Sequence, residues 1–72
     1  MFNGMNSFIP LNEIDIDNWY LVDLHGKYVV NGPYLTQKLA EKYCIKNRID
    51  VLSSKNPYDI WQGSKILIAF SE

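Results

Sequence analysis

The sequence predicts an α+β fold, a small β-β-α-β-β sheet with one main helix packed on one face and an N-terminal extended arm. Three stretches predict it. In "WYLVDLHGKYVVNG", residues 19–32, two short apolar runs flank a turn containing Asp, His and Gly. In "TQKLAEKYCIKN", residues 36–47, a threonine precedes apolar residues at helical spacing. In "KILIAFS", residues 65–71, apolar residues run together over the length of a strand.

The elements follow in order. Residues 1–18 form the arm, in which Pro10 argues against a continuous helix. "EIDID" at 13–17 sets Ile14 and Ile16 on one side and Glu13, Asp15 and Asp17 on the other. That is the pattern of an edge strand whose charge discourages unwanted pairing. Residues 19–24 and 27–32 form a hairpin. Asp23-Leu24-His25-Gly26 fits a type I turn, with Gly26 taking positive φ as a bulge. This register opposes Asp23 to Lys27, Val22 to Tyr28, Leu21 to Val29, Tyr20 to Val30 and Trp19 to Asn31. One face then carries Trp19, Leu21 and Val29, and the other Tyr20, Val22, Tyr28 and Val30. Gly32-Pro33 ends the second strand, since proline has no N–H for the ladder.

Thr36 is placed as an N-cap, with Leu35 and Ala40 at the positions of a hydrophobic staple. The helix runs to about Asn47. Leu39, Ala40, Tyr43 and Cys44 form its apolar stripe, and Lys38, Lys42 and Lys46 recur on another side with Glu41 nearby. Ile49–Leu52 reads as a third strand. "NPYDIWQG" at 56–63 reads as one helical turn, with Asn56 as cap, Pro57 at its first position and Gly63 at its end. In the last strand Ile66, Ile68 and Phe70 face one way and Leu67 and Ala69 the other. The organisation is one arm, 1–18, and one ββαββ domain, 19–72.

Size and composition restrict the function classes. A chain of 72 residues buries only about 60% of the surface it exposes when unfolded, so its stability is marginal. Cores of this size rarely supply more than roughly 3–5 kcal/mol without a disulfide, a metal or a second subunit. The single cysteine, Cys44, makes no internal disulfide, and one cysteine with one histidine does not fill a zinc site. A partner is the remaining aid. No basic region precedes an apolar run at the N-terminus, and no apolar run approaches the ~20 residues of a membrane span. A lone cysteine suits a reducing, cytoplasmic setting. Charge is divided unevenly: residues 1–25 carry −4, residues 26–55 carry +4, and the whole chain −1. Such division orients partners or holds segments together. Abundant Ile, Asn, Lys and Tyr beside only two alanines, Ala40 and Ala69, is the bias of an AT-rich genome, as in a phage or other mobile element.

"YLVDLHGKYVVNGPYLTQKLAEKY", residues 20–43, resembles a pattern in small phage and bacterial accessory proteins. In that pattern an aromatic-rich strand, an Asp…Gly-Lys turn, a second strand ending in Gly-Pro-aromatic and a Thr-capped helix follow in order. Its residues here are Asp23, Gly26, Lys27, Gly32, Pro33 and Thr36, which are turn and cap residues. The resemblance covers a third of the chain and implies a ββα element in a small accessory protein, often phage-encoded.

The chemistry-bearing residues are few. Cys44 and His25 are the one thiol and imidazole, but Cys44 belongs to the apolar stripe, His25 to a turn, and no third orienting group stands out. Glu13, Asp15 and Asp17 on an extended arm are spread at ~7 Å steps with no glycine turn to wrap a cation. Lys38, Lys42, Lys46 and Arg48 offer a row for a phosphate backbone, and Tyr20, Tyr28, Tyr34, Tyr58 and Trp61 are available for base stacking. Against that reading, the isoelectric point is about 5.7, whereas a strongly basic domain is the usual footprint.

The hairpin is apolar on both faces, and one helix covers only one. Either the arm folds over the second face through Phe8, Ile9, Leu11, Ile14 and Ile16, or a partner does. The expected function is a non-enzymatic protein–protein interaction module, a phage-encoded modulator or inhibitor of a host protein. It would bind through Tyr20, Val22, Tyr28, Val30 and Trp61, or through an acidic arm carrying Asp15 and Asp17. The alternatives are a nucleic-acid binder using Lys38, Lys42, Lys46 and Arg48, and a self-associating virion subunit. No cofactor, metal or membrane is expected.

Overall fold

A computed structural model describes residues 9–51 and 57–71. It is an α+β fold: a three-stranded antiparallel sheet with a helix against each face. A single 3-10 turn, Leu11–Glu13, leads into strand β1, Trp19–Asp23. Then follow β2 (Tyr28–Tyr34), α1 (Gln37–Lys46), β3 (Tyr58–Gln62) and α2 (Gly63–Phe70). The strand order is β2-β1-β3, so β1 is central and pairs on both sides.

The hairpin forms where expected, in a different register. Asp23 opposes Tyr28, Val22 opposes Val29, and Leu21 opposes Asn31. Four residues, 24–27, make the loop instead of two or three. The Asp23 carboxylate accepts the amides of His25 at 2.9 Å and Gly26 at 3.0 Å. The Lys27 N–H closes the loop on the Asp23 carbonyl at 2.7 Å. The left-handed position falls on Lys27 (φ 60°), not on Gly26. Moving the register by one residue turns a side chain to the other face. Val29 accordingly joins Tyr20 and Val22, while Leu21 and Trp19 lie on the α1 side.

Gly32-Pro33 does not end the second strand. β2 continues to Tyr34, with an irregular register along its second half and a cis bond at Gly32-Pro33. Proline is tolerated because β2 is an outer strand. Gly32, at φ 141°, is required twice over: by that backbone conformation and by space, since a Cβ there would come within 2.5 Å of Tyr20 Cδ2.

α1 follows the sequence closely. The Thr36 hydroxyl accepts the Leu39 amide at 3.2 Å, and Ala40 and Cys44 are buried against Leu21 and Ile60. The staple is not made, because Leu35 is 76% exposed. At its end Ile49 N–H reaches the Cys44 carbonyl at 2.8 Å and Arg48 N–H the Ile45 carbonyl at 3.2 Å. With Arg48 at φ 58°, this is a Schellman cap.

Three expectations about the C-terminal half are corrected. Ile49–Leu52 is not a sheet strand: Val51 makes one parallel bridge to Tyr58, and Leu52 lies outside the described residues. The helical turn expected over 56–63 is strand β3 at 58–62, where Ile60 turns to the α1 side and Trp61 to the other. The strand expected over 65–71 is α2. An apolar run does not distinguish strand from helix by period, and here tertiary contacts decide. Ile66 is fully buried, Leu67 and Phe70 pack beside it, and Ile68 points to solvent.

The acidic edge strand is also corrected. Ile14 is buried while Ile16 is 55% exposed, because residues 15–18 form a turn instead of alternating. Asp15 Oδ1 accepts the Asp17 amide at 2.9 Å, and the Asp15 carbonyl accepts the Asn18 amide at 3.2 Å. The carbonyls of Asn18 and Ile16 then accept the amides of Gly63 and Ser64, which open α2. These are N–H groups that a helix leaves without intrahelical partners. Two layers thus cover the two sheet faces. α1 covers Leu21 and Ile60, while α2 with Ile9, Leu11 and Ile14 covers Tyr20, Val22 and Val29. Phe8 lies outside the described residues.

Candidate functional site

Covering of the second face moves the expected contact residues. Tyr20 and Val22 are 1% and 0% exposed, so neither is available at the surface. Their cover is the chain itself, and the tyrosine-rich sheet face is interior. Val30 is half-buried against the α1 layer. Tyr28 is half-buried at the hairpin end, where its hydroxyl bonds to Asp23 and its ring lies beside Gly26.

Trp61 is half-buried on β3, and its surroundings hold it in place. The indole N–H donates to Asp59 Oδ2 at 2.8 Å. The Phe70 ring lies 5.4 Å away, and Lys65 Nζ sits 4.5 Å from the ring centroid. This is a cation–π contact of the kind that favours an ordered indole. Asp59, Trp61, Lys65 and Phe70 tie β3 to α2.

Asp15 and Asp17 are both exposed, on the turn that receives the N-terminus of α2. Carboxylates suit that helix end electrostatically. Glu13 is exposed beside them. Among the described residues no group of three or more His, Cys, Asp or Glu is placed to hold a metal ion.

Cys44 and His25 are not brought to one site. Cys44 is 2% exposed in the α1 layer, and burial pushes its thiol pKa up. An activated thiolate needs the opposite shift. His25 is exposed in the hairpin loop.

The lysine row is the feature that stands outward. Lys38, Lys42 and Lys46 are exposed, as is Arg48 just past the helix. At 3.6 residues per turn, the three lysines form one ridge on the side of α1 opposite Ala40 and Cys44. Leu39 and Ile45 flank that ridge, 42% and 77% exposed. Leu35 precedes the helix and Val51 follows it, also exposed. Beside Ile45 an open depression of about 480 Å³ is lined by Glu41, Cys44, Ile45, Ile49, Asp50 and Val51. None of Leu35, Leu39, Ile45 and Val51 is among the contacts expected from the sequence, which places Leu39 on the packed stripe of α1 and Val51 in a strand. Ile45 was detectable, since it lies off the apolar stripe of α1. Leu35 stands at the position of a staple that the fold does not make.

Among the described residues no helix is long and apolar enough to cross a membrane. Comparison with known protein families, curated proteins and solved structures finds no match to this chain.

Proposed function

We propose that this chain is a non-enzymatic protein–protein interaction module whose contact surface is the outward face of α1. One observation carries the reading. Of the six large apolar side chains exposed among the described residues, Leu39 and Ile45 flank the ridge of Lys38, Lys42 and Lys46 on α1, and Leu35 and Val51 lie in the segments just before and after it, with Ile16 and Ile68 elsewhere. Apolar anchors within a charged surround are the anatomy of an interface, and the charge selects an acidic partner. A modulator of a host protein is the narrower form of this reading and rests on the resemblance of residues 20–43. Asp15 and Asp17 remain a second, acidic contact surface. The test is a pull-down with the tagged chain, with and without nuclease, beside a Leu39→Ser/Ile45→Ser variant. A stoichiometric partner that survives nuclease and is lost by the variant supports the reading. A partner that the variant retains removes α1 from it.

A second reading is nucleic-acid binding, favoured by the ridge of Lys38, Lys42 and Lys46 with Arg48 at its end. It requires affinity that falls steeply with salt. Failure to be retained on heparin at low salt excludes it.

A further inference from the structure

The fold places its two charge blocks on opposite layers. Lys38, Lys42, Lys46 and Arg48 stand on the α1 layer, flanked by exposed Leu39 and Ile45. Glu13, Asp15 and Asp17 stand on the layer across the sheet, around Ile16, which is 55% exposed. The α1 surface carries four positive charges beside the carboxylate of Glu41, the other surface three carboxylates, and each has at least one large exposed apolar side chain. Each is what the other would bind.

We propose that the occupant of the α1 face is the acidic 13–17 surface of a second copy of this chain. This rests on the reading of α1 as the contact surface and names the partner. Charge complementarity selects the copy: the lysine ridge meets the carboxylates, and Ile16 packs against Ile45 at the edge of the ridge. The two surfaces differ and lie on opposite sides of the sheet, so the contact is head-to-tail. A two-fold dimer would use one surface twice, whereas a head-to-tail contact leaves a free face at each end and keeps growing unless it closes into a ring. The attraction is between exposed charges, so it weakens as the screening length shortens from about 30 Å at ~0.01 M salt to about 3 Å at ~1 M.

The test is sedimentation of the full chain over a concentration series at low and high salt. The expected result is a mass that rises beyond dimer at low salt and returns to monomer at high salt. Two variants resolve the geometry: Lys38→Gln/Lys42→Gln, which removes the basic face without reversing it, and Glu13→Gln/Asp17→Asn, which does the same for the acidic one. All four positions are exposed, and a thermal unfolding scan confirms that each variant folds. Each variant alone should stay monomeric. Mixed in equal amounts they should form a one-to-one dimer that grows no further, since each retains the face the other lacks. A wild-type chain that is monomeric throughout overturns the proposal, as does a mixture that stays monomeric. If the wild-type chain is monomeric but is retained on immobilised poly-glutamate and the lysine variant is not, the second copy is excluded while the reading of α1 stands. If it is monomeric and not retained, both fall.

Discussion

The hydroxyl of Tyr20, deep in the sheet, accepts the backbone N–H of Asp15 at 2.9 Å. Tyr20 is 1% exposed, so this bond fastens the N-terminal segment to the central strand from inside the molecule. Tyr20→Phe keeps the ring and leaves the Asp15 N–H without that acceptor. The expected loss is about 1–2 kcal/mol, for a polar group deprived of its partner. For a domain of this size each kcal/mol moves the midpoint by about 4–8 °C. Thermal unfolding followed by circular dichroism reads it, and an unchanged midpoint would show that the segment docks without the bond.

Gly63 opens α2 at its closest approach to the N-terminal turn. A Cβ built there collides with the Asp15 carbonyl and meets Ile14 Cγ2 at 3.0 Å. Both obstacles belong to packed chain, so the strain is not relieved by a rotamer change. Gly63→Ala should cost about 1–3 kcal/mol, as overpacking does, despite alanine's better helix propensity. Ser64→Ala, at an exposed neighbouring position, serves as the control and should be near neutral. Equal midpoints for the two variants would mean that the segment moves aside freely.

What the sequence made legible was local chemistry. Thr36 as cap, the buried Ala40 and Cys44 of α1 and a chain reversal begun at Asp23 are each readable from neighbours a few residues apart and each is present, although the reversal is one residue longer than a type I turn predicts. The remainder depended on distant contacts. Whether "KILIAF" is strand or helix is decided by the carbonyls of Ile16 and Asn18, which lie some forty-five residues earlier and receive its first amides. Whether Tyr20 faces a partner or the core is decided by that same helix. The lysine ridge was legible, because a lysine every fourth residue of a helix must share a side. The exposure of Leu35 was not, because it follows from a staple that fails to form.

Arg48 holds the left-handed position of the α1 cap at φ 58°. A residue with a Cβ is disfavoured there by roughly 1–2 kcal/mol, while glycine gives back part of the gain through its freer unfolded chain. Arg48→Gly should therefore raise stability by about 0.5–1 kcal/mol. Arg48→Ala removes the same charge and keeps the strain, so it separates the two causes. If Arg48→Ala stabilises as much as Arg48→Gly, the gain is electrostatic and the conformational account fails.

Cys44 should be slow to react. It is 2% exposed, and burial raises its thiol pKa, so both access and thiolate fraction are low. Alkylation by iodoacetamide at neutral pH should proceed much more slowly in the folded chain than in denaturant. Equal rates would place the thiol at the surface and reopen a chemical role for it.

The Asp23 carboxylate sets an acid limit on the hairpin. The Gly26 amide holds its pKa below the ordinary 3.8, against the opposing effect of desolvation, with help from the Tyr28 hydroxyl and the His25 amide. A carboxylate depressed in the folded state stabilises above its unfolded pKa, and that contribution disappears as pH falls through the folded value. The wild-type chain should thus keep its full turn energy at neutral pH and lose it below about pH 4. Asp23→Asn retains a side-chain oxygen for the two amides but has no proton to gain. Its unfolding midpoint should be lower than wild type at neutral pH and should fall less on acidification, so that the two curves converge. Curves that run parallel from neutral pH to below pH 3 would show that Asp23 contributes shape to the loop and no charge.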